Sequence, residues 1–382
     1  MKNIAIIVET SLASGRQILM GISQYLSERD DWSVSHHTGI LGAMDLAAIQ
    51  HWTGDGIIAR IANPEIEAII RSKGVPIIDV LGNVAPQEVP LVKCDDRLIG
   101  NQVANHLMEQ GHRKFAFLGI EHQSWSQERE SGFADSVAKH TGEVYTHYVQ
   151  LEDHDAPNYL SDEESIIRWI RTLPLPIGLM VASDQLAPIV FEACRMLNCS
   201  IPESVSVVGV DNDRPFCNLC RPQLTSIEPN HSGVGYLAAE LLNRLVSGDS
   251  VENRTYMVNP RRIHVRRSSD TLAVGDPAIR KALHFVRTHA CAGTTVDEVA
   301  AHAGLSRSVL QRRFRELLKR SVGELILAEK LRRARELLSD TKLSISDIAD
   351  KSGLNCQEYL NHIFRKHLNT TPRRYRLQHQ QP

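Results

Sequence analysis

No uninterrupted apolar stretch in this sequence approaches the roughly 18 residues that a membrane-crossing helix requires, which argues against a helical bilayer span. The first ten residues hold one lysine and a short apolar run closed by Glu9, and no small-residue cleavage site follows. They read as a first strand rather than a secretion signal, so residence in the cytoplasm is expected. Cysteines are few and odd in number: 94, 194, 199, 217, 220, 291 and 356 are scattered along the chain, unlike the dense even set of a disulfide scaffold. Reduced thiols are the expectation. Cys217 and Cys220 form a CxxC pair, but zinc calls for a second pair or nearby histidines, and only His231 is at all close in sequence. No metal and no cofactor are expected. A phosphate-cradling glycine loop and a Ser-His-Asp order are also missing, which argues against an enzyme.

What is present is material for two or three ordinary globular domains: 382 residues, 42% hydrophobic and 23% charged. The net charge of −2 hides an asymmetry. Residues 276–382 carry 20 Lys+Arg against 11 Asp+Glu, whereas the preceding chain carries 23 against 34. A basic C-terminal part on an acidic body points to a polyanion partner for that part alone.

Before residue 270, short β-branched runs recur at Ile4 to Val8, Gly56 to Ala59, Pro76 to Val80, Phe115 to Leu118, Gly178 to Val181 and Val205 to Val210. Helical spacing separates them, as at Gly15 to Leu26, Gly100 to Gln110 and Gln185 to Leu197. Strands buried on both faces and joined by amphipathic helices indicate parallel α/β architecture, which binds ligands beyond the carboxyl ends of its strands. Asp184 and Asp211 sit just past two such ends, Ser183 precedes the first, and Arg129 lies early in a helix four residues after Trp125. Carboxylates and a guanidinium can bracket the adjacent hydroxyls of a sugar, and an indole can stack on its apolar face. Each also has an ordinary structural explanation: the aspartates as helix caps, Arg129 as partner of a neighbouring acid, Trp125 as core.

Five ordered segments carry a resemblance. They are Gly111 to Gly119, Arg129 to Phe133 (Arg-x-x-Gly-Phe), Val181 to Ala187, Ile201 to Asn212 and Pro222 to Ile227, and together they resemble the ligand domain of the lactose-repressor family. The resemblance implies a two-lobed, periplasmic-binding-protein-like (type I) α/β domain with three crossings between lobes and sugar in the cleft. It places Asp184, Asp211 and Arg129 against the effector, and puts Asp95 and the loop bearing Glu9, Ser11 and Arg16 on the first lobe's side. Members of that family carry their DNA-binding helices ahead of this domain, whereas here the first strand begins almost at Met1. DNA binding is therefore expected from the other end.

After Asp270 the strand pattern stops, and Asp276-Pro277 opens a helix. Asp297 to Ser306 spells a short helix, a glycine turn and an N-cap, and Ser344 to Asn355 repeats it about fifty residues later. Two helix-turn-helix units follow, near 295–317 and 344–367, joined by a long helix around Ala328 to Leu338. Leu310, Phe314 and Leu317, then Leu360, Ile363 and Phe364, are expected to face their cores. That leaves Ser308, Gln311 and Arg312, and Gln357, Glu358, Asn361 and His362, for base edges, with Arg307, Arg313, Arg315 and Lys366 for phosphates. Residues 280–376 resemble the arabinose-regulator (AraC-type) DNA-binding domain, through Ser306-Arg307-x-x-Leu310-x-Arg312-x-Phe314, Lys330 to Leu338, Ile345-x-x-Ile348-Ala349, Phe364-Arg365-Lys366 and Thr371-Pro372-x-x-Tyr375-Arg376. Asn369 stands where that family usually has glycine. The expected organisation is a sugar domain over 1–270, a linker over 271–277 and an all-α DNA reader over 278–382. This order resembles a D-xylose-responsive branch of the arabinose-regulator family. The likeness implies D-xylose as effector, a homodimer on paired DNA half-sites and activation through RNA polymerase. A sugar-modifying enzyme and a transport receptor are the rival classes; the basic helical tail fits neither.

Overall fold

The computed structural model describes the chain except residues 38, 41–42, 45, 84–88, 141–142, 151–162, 271–273 and 380–382, and for 39–40, 43–44, 46–48, 340 and 378–379 it describes the backbone alone. Two units result, Met1–Thr271 and Leu272–Pro382. Residues 271–273 of the expected linker fall outside the description, and Pro277, assigned to that linker, is already the first residue of a helix.

In the first unit, β1 (Lys2–Ile7), β2 (Trp32–His37), β5 (Gly56–Ala59), β6 (Ile77–Asp79), β7 (Leu91–Cys94) and β13 (Thr255–Val258) form a parallel sheet in the order β13-β7-β6-β5-β1-β2. The short pair β3 (Gly39–Ile40) and β4 (Ala43–Met44) stands apart from it. A second sheet orders β14 (Ile263–His264), β12 (Thr225–Ile227), β11 (Val205–Val210), β10 (Ile177–Val181), β8 (Phe115–Ile120) and β9 (Val144–Val149), parallel but for the last short strand β14. The chain passes between the sheets three times, after β7, after β12 and after β13. Strands β5, β7, β8, β10 and β11 are buried at every residue, because helices cover both faces. Helices α1 (Ala13–Ser27), α2 (Leu46–His51), α3 (Pro64–Arg71) and α9 (His231–Val246) serve the first sheet; α4 (Asp96–Glu109), α5 (Ser124–Ala138), α6 (Glu163–Thr172), α7 (Ala187–Met196) and α8 (Arg214–Leu219) serve the second. The edge strands β2 and β9 are half exposed, so their mixed sequences, Trp-Ser-Val-Ser-His-His and Val-Tyr-Thr-His-Tyr-Val, lack the continuous apolar run that marks the central strands.

Two helix pairs approach so closely that only glycine fits between them. A Cβ on Gly100 of α4 would lie 1.9 Å from the carbonyl oxygen of Arg129 in α5, and one on Gly132 of α5 would lie 1.9 Å from that of Arg97. Gly21 of α1 and Gly235 of α9 meet the opposing backbone in the same way, at 1.9 and 2.0 Å.

The described elements of the second unit are helices: α10 (Pro277–His289), α11 (Val296–Ala303), α12 (Arg307–Leu318), α13 (Val322–Asp340), α14 (Ile345–Lys351), α15 (Gln357–Leu368) and α16 (Pro372–His379). Caps set the starts. Asp276 accepts from the backbone of Ala278 and Ile279, Thr295–Glu298 and Ser321–Glu324 close reciprocal capping boxes, and Ser306, Ser344 and Cys356 cap α12, α14 and α15. Leu310 and Phe314 enter one core with Ile279, Leu283 and Val299, while Leu360, Ile363 and Phe364 enter another with Leu331, Leu338 and Ile348. Helix α13 contributes to both. Leu317, expected inward, is instead 47% exposed, and Leu305 and Leu318 pack against that core. Among the described residues no helix is long and apolar enough to cross a membrane.

Gly132→Ala is expected to force α4 and α5 apart and cost about 1–3 kcal/mol, the usual range for overpacking. Gly323→Ala, in open space on α13, should be neutral or stabilising. Thermal unfolding of the two variants checks the contrast; equal midpoints would contradict it.

Candidate effector cleft and DNA-reading helices

The carboxyl ends of the first sheet gather charge. Glu9, just beyond β1, is fully buried and ion-paired with Arg60, which follows β5 and also lies 3.2 Å from Ser14 Oγ. Among the described residues Glu9 Oε2 has no hydrogen-bond partner. Arg16 folds its guanidinium onto the carbonyls of Thr10 and Ser11 at 2.7 and 2.8 Å, which ties down the loop after β1, and reaches within 3.8 Å of Asp213 from the second sheet. Ser11 is exposed. Asp95 caps α4, its Oδ1 accepting from Leu98 N–H at 2.8 Å.

Facing these, Arg129 is 4% exposed and donates from Nε to Asp96 Oδ1 at 2.8 Å and from Nη1 to the Ala182 carbonyl at 2.6 Å. Its guanidinium lies 4.6 Å from the centre of the Trp125 ring, whose Nε1 donates to Gln123. One face of the indole is thus covered by arginine. Burial works against the cation, but the Asp96 and Asp211 carboxylates outweigh it and raise the Arg129 pKa. Lys93, buried within β7, bridges Asp96 at 3.4 Å and Glu128 at 2.8 Å.

Asp211 sits past β11 with a φ of 108°, and Asn212 follows at 49°; both lie in the region that side chains seldom occupy. Ser183 donates to Asp211 Oδ2 at 3.0 Å. His231, the first residue of α9, stands 3.5 Å from Asp211 Oδ1 without the alignment of a hydrogen bond, and its Nδ1 is 3.6 Å from Cys94 Sγ. Burial opposes both charges. Even so, Cys94 and Asp211 hold the imidazolium up to about 9, and His231 with Arg129 holds Asp211 below the usual carboxylate range. Asp184 differs: it has no exposed surface and accepts from Ser226 Oγ at 2.8 Å, Asp213 N–H at 2.8 Å and Cys217 Sγ at 3.3 Å. Burial and the nearby charge of Asp211 push its pKa well up. Ser226 Oγ in turn accepts from Asn212 N–H at 2.9 Å, so Asp184 holds the 211–213 turn from beneath.

Of the sequence candidates, then, Ser183 and Asp211 touch each other, Arg129 lies near Asp211 and stacks on Trp125, and Arg16 reaches toward Asp213. Glu9, Ser11, Arg16 and Asp95 line the opposite strand ends. Arg60, Lys93, Cys94, Asp96, Ser226 and His231 are site neighbours that the sequence did not assign to this site. Asp96 and Arg60 do stand one residue beyond Asp95 and beyond the end of β5. His231 carries no local signal, since its partner is twenty residues away and belongs to the other sheet.

In the helical unit, α11 and α12 flank Gly304 at φ 68°, and α14 and α15 flank Gly353 at φ 68° and Asn355 at φ 62°. Arg307, Ser308, Arg312 and Arg315 on α12, and Gln357, Glu358, His362 and Lys366 on α15, are exposed; Gln311 and Asn361 are half-buried. Arg307 pairs with Asp297 at 2.9 Å, both well exposed. Arg313, expected on a phosphate, is turned instead to Asp276 at the start of α10, 2.8 Å away, where it reinforces the cap. Asn369 takes the left-handed conformation, φ 51°, that its place after α15 requires. Lys330 donates to the Gly353 carbonyl at 2.7 Å, tying α13 to the second turn.

Known proteins match in both units. Residues 3–93 match the XylR N-terminal domain, 104–269 a periplasmic binding protein-like domain and 299–378 a helix-turn-helix domain. The xylose operon regulatory protein of Escherichia coli (strain K12) is 33% identical over 98% of this chain and 96% of its own, and that of Haemophilus influenzae is 29% identical over 98% of both. A solved structure described as the xylose-binding transcription activator xylR is 30% identical, with a TM-score of 0.84 over 100% of this chain and 99% of that one. These relatives are named as regulators of transcription, and each match runs over nearly the whole of both chains. The chain belongs to the xylose operon regulatory protein family.

Proposed function

We propose that this protein is a D-xylose-dependent activator of transcription in the cytoplasm, with residues 1–270 sensing the sugar and 278–382 reading DNA as a homodimer that engages RNA polymerase. The observation that carries the sensing half is the Ser183–Asp211–His231 group beside Arg129. It sets one ionised carboxylate between a cation and an imidazolium, at a point where strand ends of the two sheets face each other. Such a carboxylate accepts two sugar hydroxyls, and Arg129 supplies donors from the same side. Glu9 Oε2, buried and without a hydrogen-bond partner among the described residues, is the acceptor on the first lobe, with Ser11 and Arg16 from the same end of β1 and Asp95 from the end of β7. Trp125 offers its remaining face to the ring. Asp184 acts through the 211–213 turn rather than on the sugar itself.

His231–Asp211, Arg16–Asp213 and the Asn83–Gln123 bond of 2.9 Å all join the two lobes. A sugar bound between them favours the closed form by as much as its affinity for closed exceeds that for open. On the DNA side, Gln311, Arg312, Gln357 and Asn361 read bases with Ser308, Glu358 and His362, while Arg307, Arg315 and Lys366 hold phosphates.

Asp211→Ala should weaken D-xylose binding at least about tenfold, the loss of a hydrogen bond to a charged group, and leave sugar-free DNA affinity unchanged. Calorimetry against pentoses and hexoses, with a DNA-binding assay, reads both; full retention of xylose affinity would remove Asp211 from the site. Because the folded pKa of His231 is raised, its pairing stabilises the sensor fully below the ordinary imidazole value of about 6.5 and is lost as pH climbs through about 9. The gap in unfolding temperature between wild type and His231→Gln should therefore close above pH 9; a pH-independent gap counts against the pairing. Arg312→Ala should relax base preference at one operator position at a cost of about 1–3 kcal/mol. Lys366→Ala should instead lower affinity for all sequences and reduce the salt slope by about 1, a difference that titration at several salt concentrations resolves.

A further inference from the structure

The segment leaving the first unit is sewn into the second sheet by hydroxyl groups. Ser268 and Ser269 are both wholly buried and, with Asp270, are the last three described residues of that unit. Ser268 donates from Oγ to the Val207 carbonyl at 2.6 Å and accepts from Thr225 N–H at 2.8 Å, and its backbone bonds to Gln223 and Val207. Ser269 Oγ donates to Thr225 Oγ1 at 2.9 Å, and Thr225 Oγ1 also accepts from Arg266 N–H and donates to the Arg266 carbonyl. With the Ser269 proton committed to Thr225, the His106 Nε2 atom 2.9 Å from Ser269 Oγ is the donor of that bond. Burial keeps the His106 pKa low, consistent with a neutral ring.

His106 lies in the last turn of α4, whose first residue, Asp96, grips Arg129 and Lys93. Ten residues of helix separate the two, about 15 Å. The helix is also locked against α5 along its length by Gly100 and Gly132, so its ends move together. Residue 270 is thereby fastened to the cleft through one rigid element: Asp211 and Arg129 at one end, Ser269 at the other. The partner that satisfies this buried ring nitrogen belongs to the exit segment, so α4 and that segment are joined by a side-chain hydrogen bond.

We propose that His106 and Ser269 are the positioning residues that pass effector occupancy from α4 to the point where the chain leaves for the DNA-reading unit. The inference rests on the sugar-sensing reading above and adds its route. In this arrangement a sugar that draws the first lobe onto Arg129 and Asp211 shifts α4, and α4 shifts Ser269 and the covalent tether with it.

The test uses the full chain and measures operator affinity with and without D-xylose. The wild-type ratio is expected within the about 5- to 150-fold range of such couplings. Ser269→Ala and His106→Leu should bring that ratio to within about twofold of unity. Xylose affinity and sugar-free DNA affinity should both stay at wild-type values, a separation that a merely structural role would not produce. His106→Gln, which can still donate to Ser269, should restore the ratio. Hydrogen exchange read on the unaltered protein should show the 266–270 amides change protection when xylose is added. An unchanged ratio in Ser269→Ala, a parallel loss of sugar affinity, or sugar-independent exchange at 266–270 would each overturn the proposal while leaving the sensor reading in place. A wild-type protein whose DNA affinity ignores every pentose and hexose would instead overturn the sensor reading, and the route with it.

Discussion

A buried guanidinium organises the ligand unit. Removing the Arg129 cation from water costs several kcal/mol unless its donors and its charge are met, and the fold meets them from three separate segments. Asp96 at the head of α4 supplies the counter-charge, the Ala182 carbonyl at the end of β10 accepts a second bond, and Trp125 covers one face. The charge then stabilises Asp211 at the end of β11. Each segment alone is an ordinary strand end or helix start. Held on one cation, they become one wall of the candidate site, and its Asp211 carboxylate is favoured in the ionised form although it is largely enclosed.

The glycine contacts make that wall rigid. Gly100 and Gly132 bring α4 and α5 to backbone contact in one lobe, and Gly21 and Gly235 do the same for α1 and α9 in the other. Arg129 and His231, the two cations flanking Asp211, ride on those pairs. A side chain longer than hydrogen at these positions would move the cations, not only the helices. Asp184 plays a complementary part: it is raised in pKa and closed off from solvent, and it supports the turn whose unusual φ angles aim Asp211. Strain of that kind persists only where the surroundings over-determine it.

The DNA-reading unit is built on different terms. Its two cores are small and share α13, so capping and turn chemistry bear more of the specification, with two capping boxes, four further side-chain caps and left-handed residues at Gly304, Gly353, Asn355 and Asn369. Its polar face needs few internal partners, and most of the residues proposed to meet DNA are exposed. Arg313 is the exception that the helical wheel did not separate from its neighbours, because the acid that claims it lies 37 residues earlier in the sequence.

Local chemistry is legible in the sequence alone. Continuous apolar runs mark β1, β5, β6, β8, β10 and β11, the Asp276-Pro277 and Ser306 signals mark helix starts, and the repeated turn spells out two helix-turn-helix units, since each depends on residues within a few positions of one another; β7, interrupted by Lys93, and the three-residue β12 were not read although both are buried throughout. Edge strands β2 and β9 were not legible, because half-exposed strands carry no unbroken apolar run. The candidate site divides in the same way. Asp211 and Arg129 could be named because strand ends and helix starts announce themselves, whereas Asp95 was named only through the family resemblance. The pairing of Arg60 with Glu9, of Asp96 with Arg129, of His231 with Asp211 and of His106 with Ser269 was decided only by tertiary structure. Those partners lie 20 to 163 residues apart, and a charge or hydroxyl becomes a partner only when the fold has removed the water that would otherwise satisfy it.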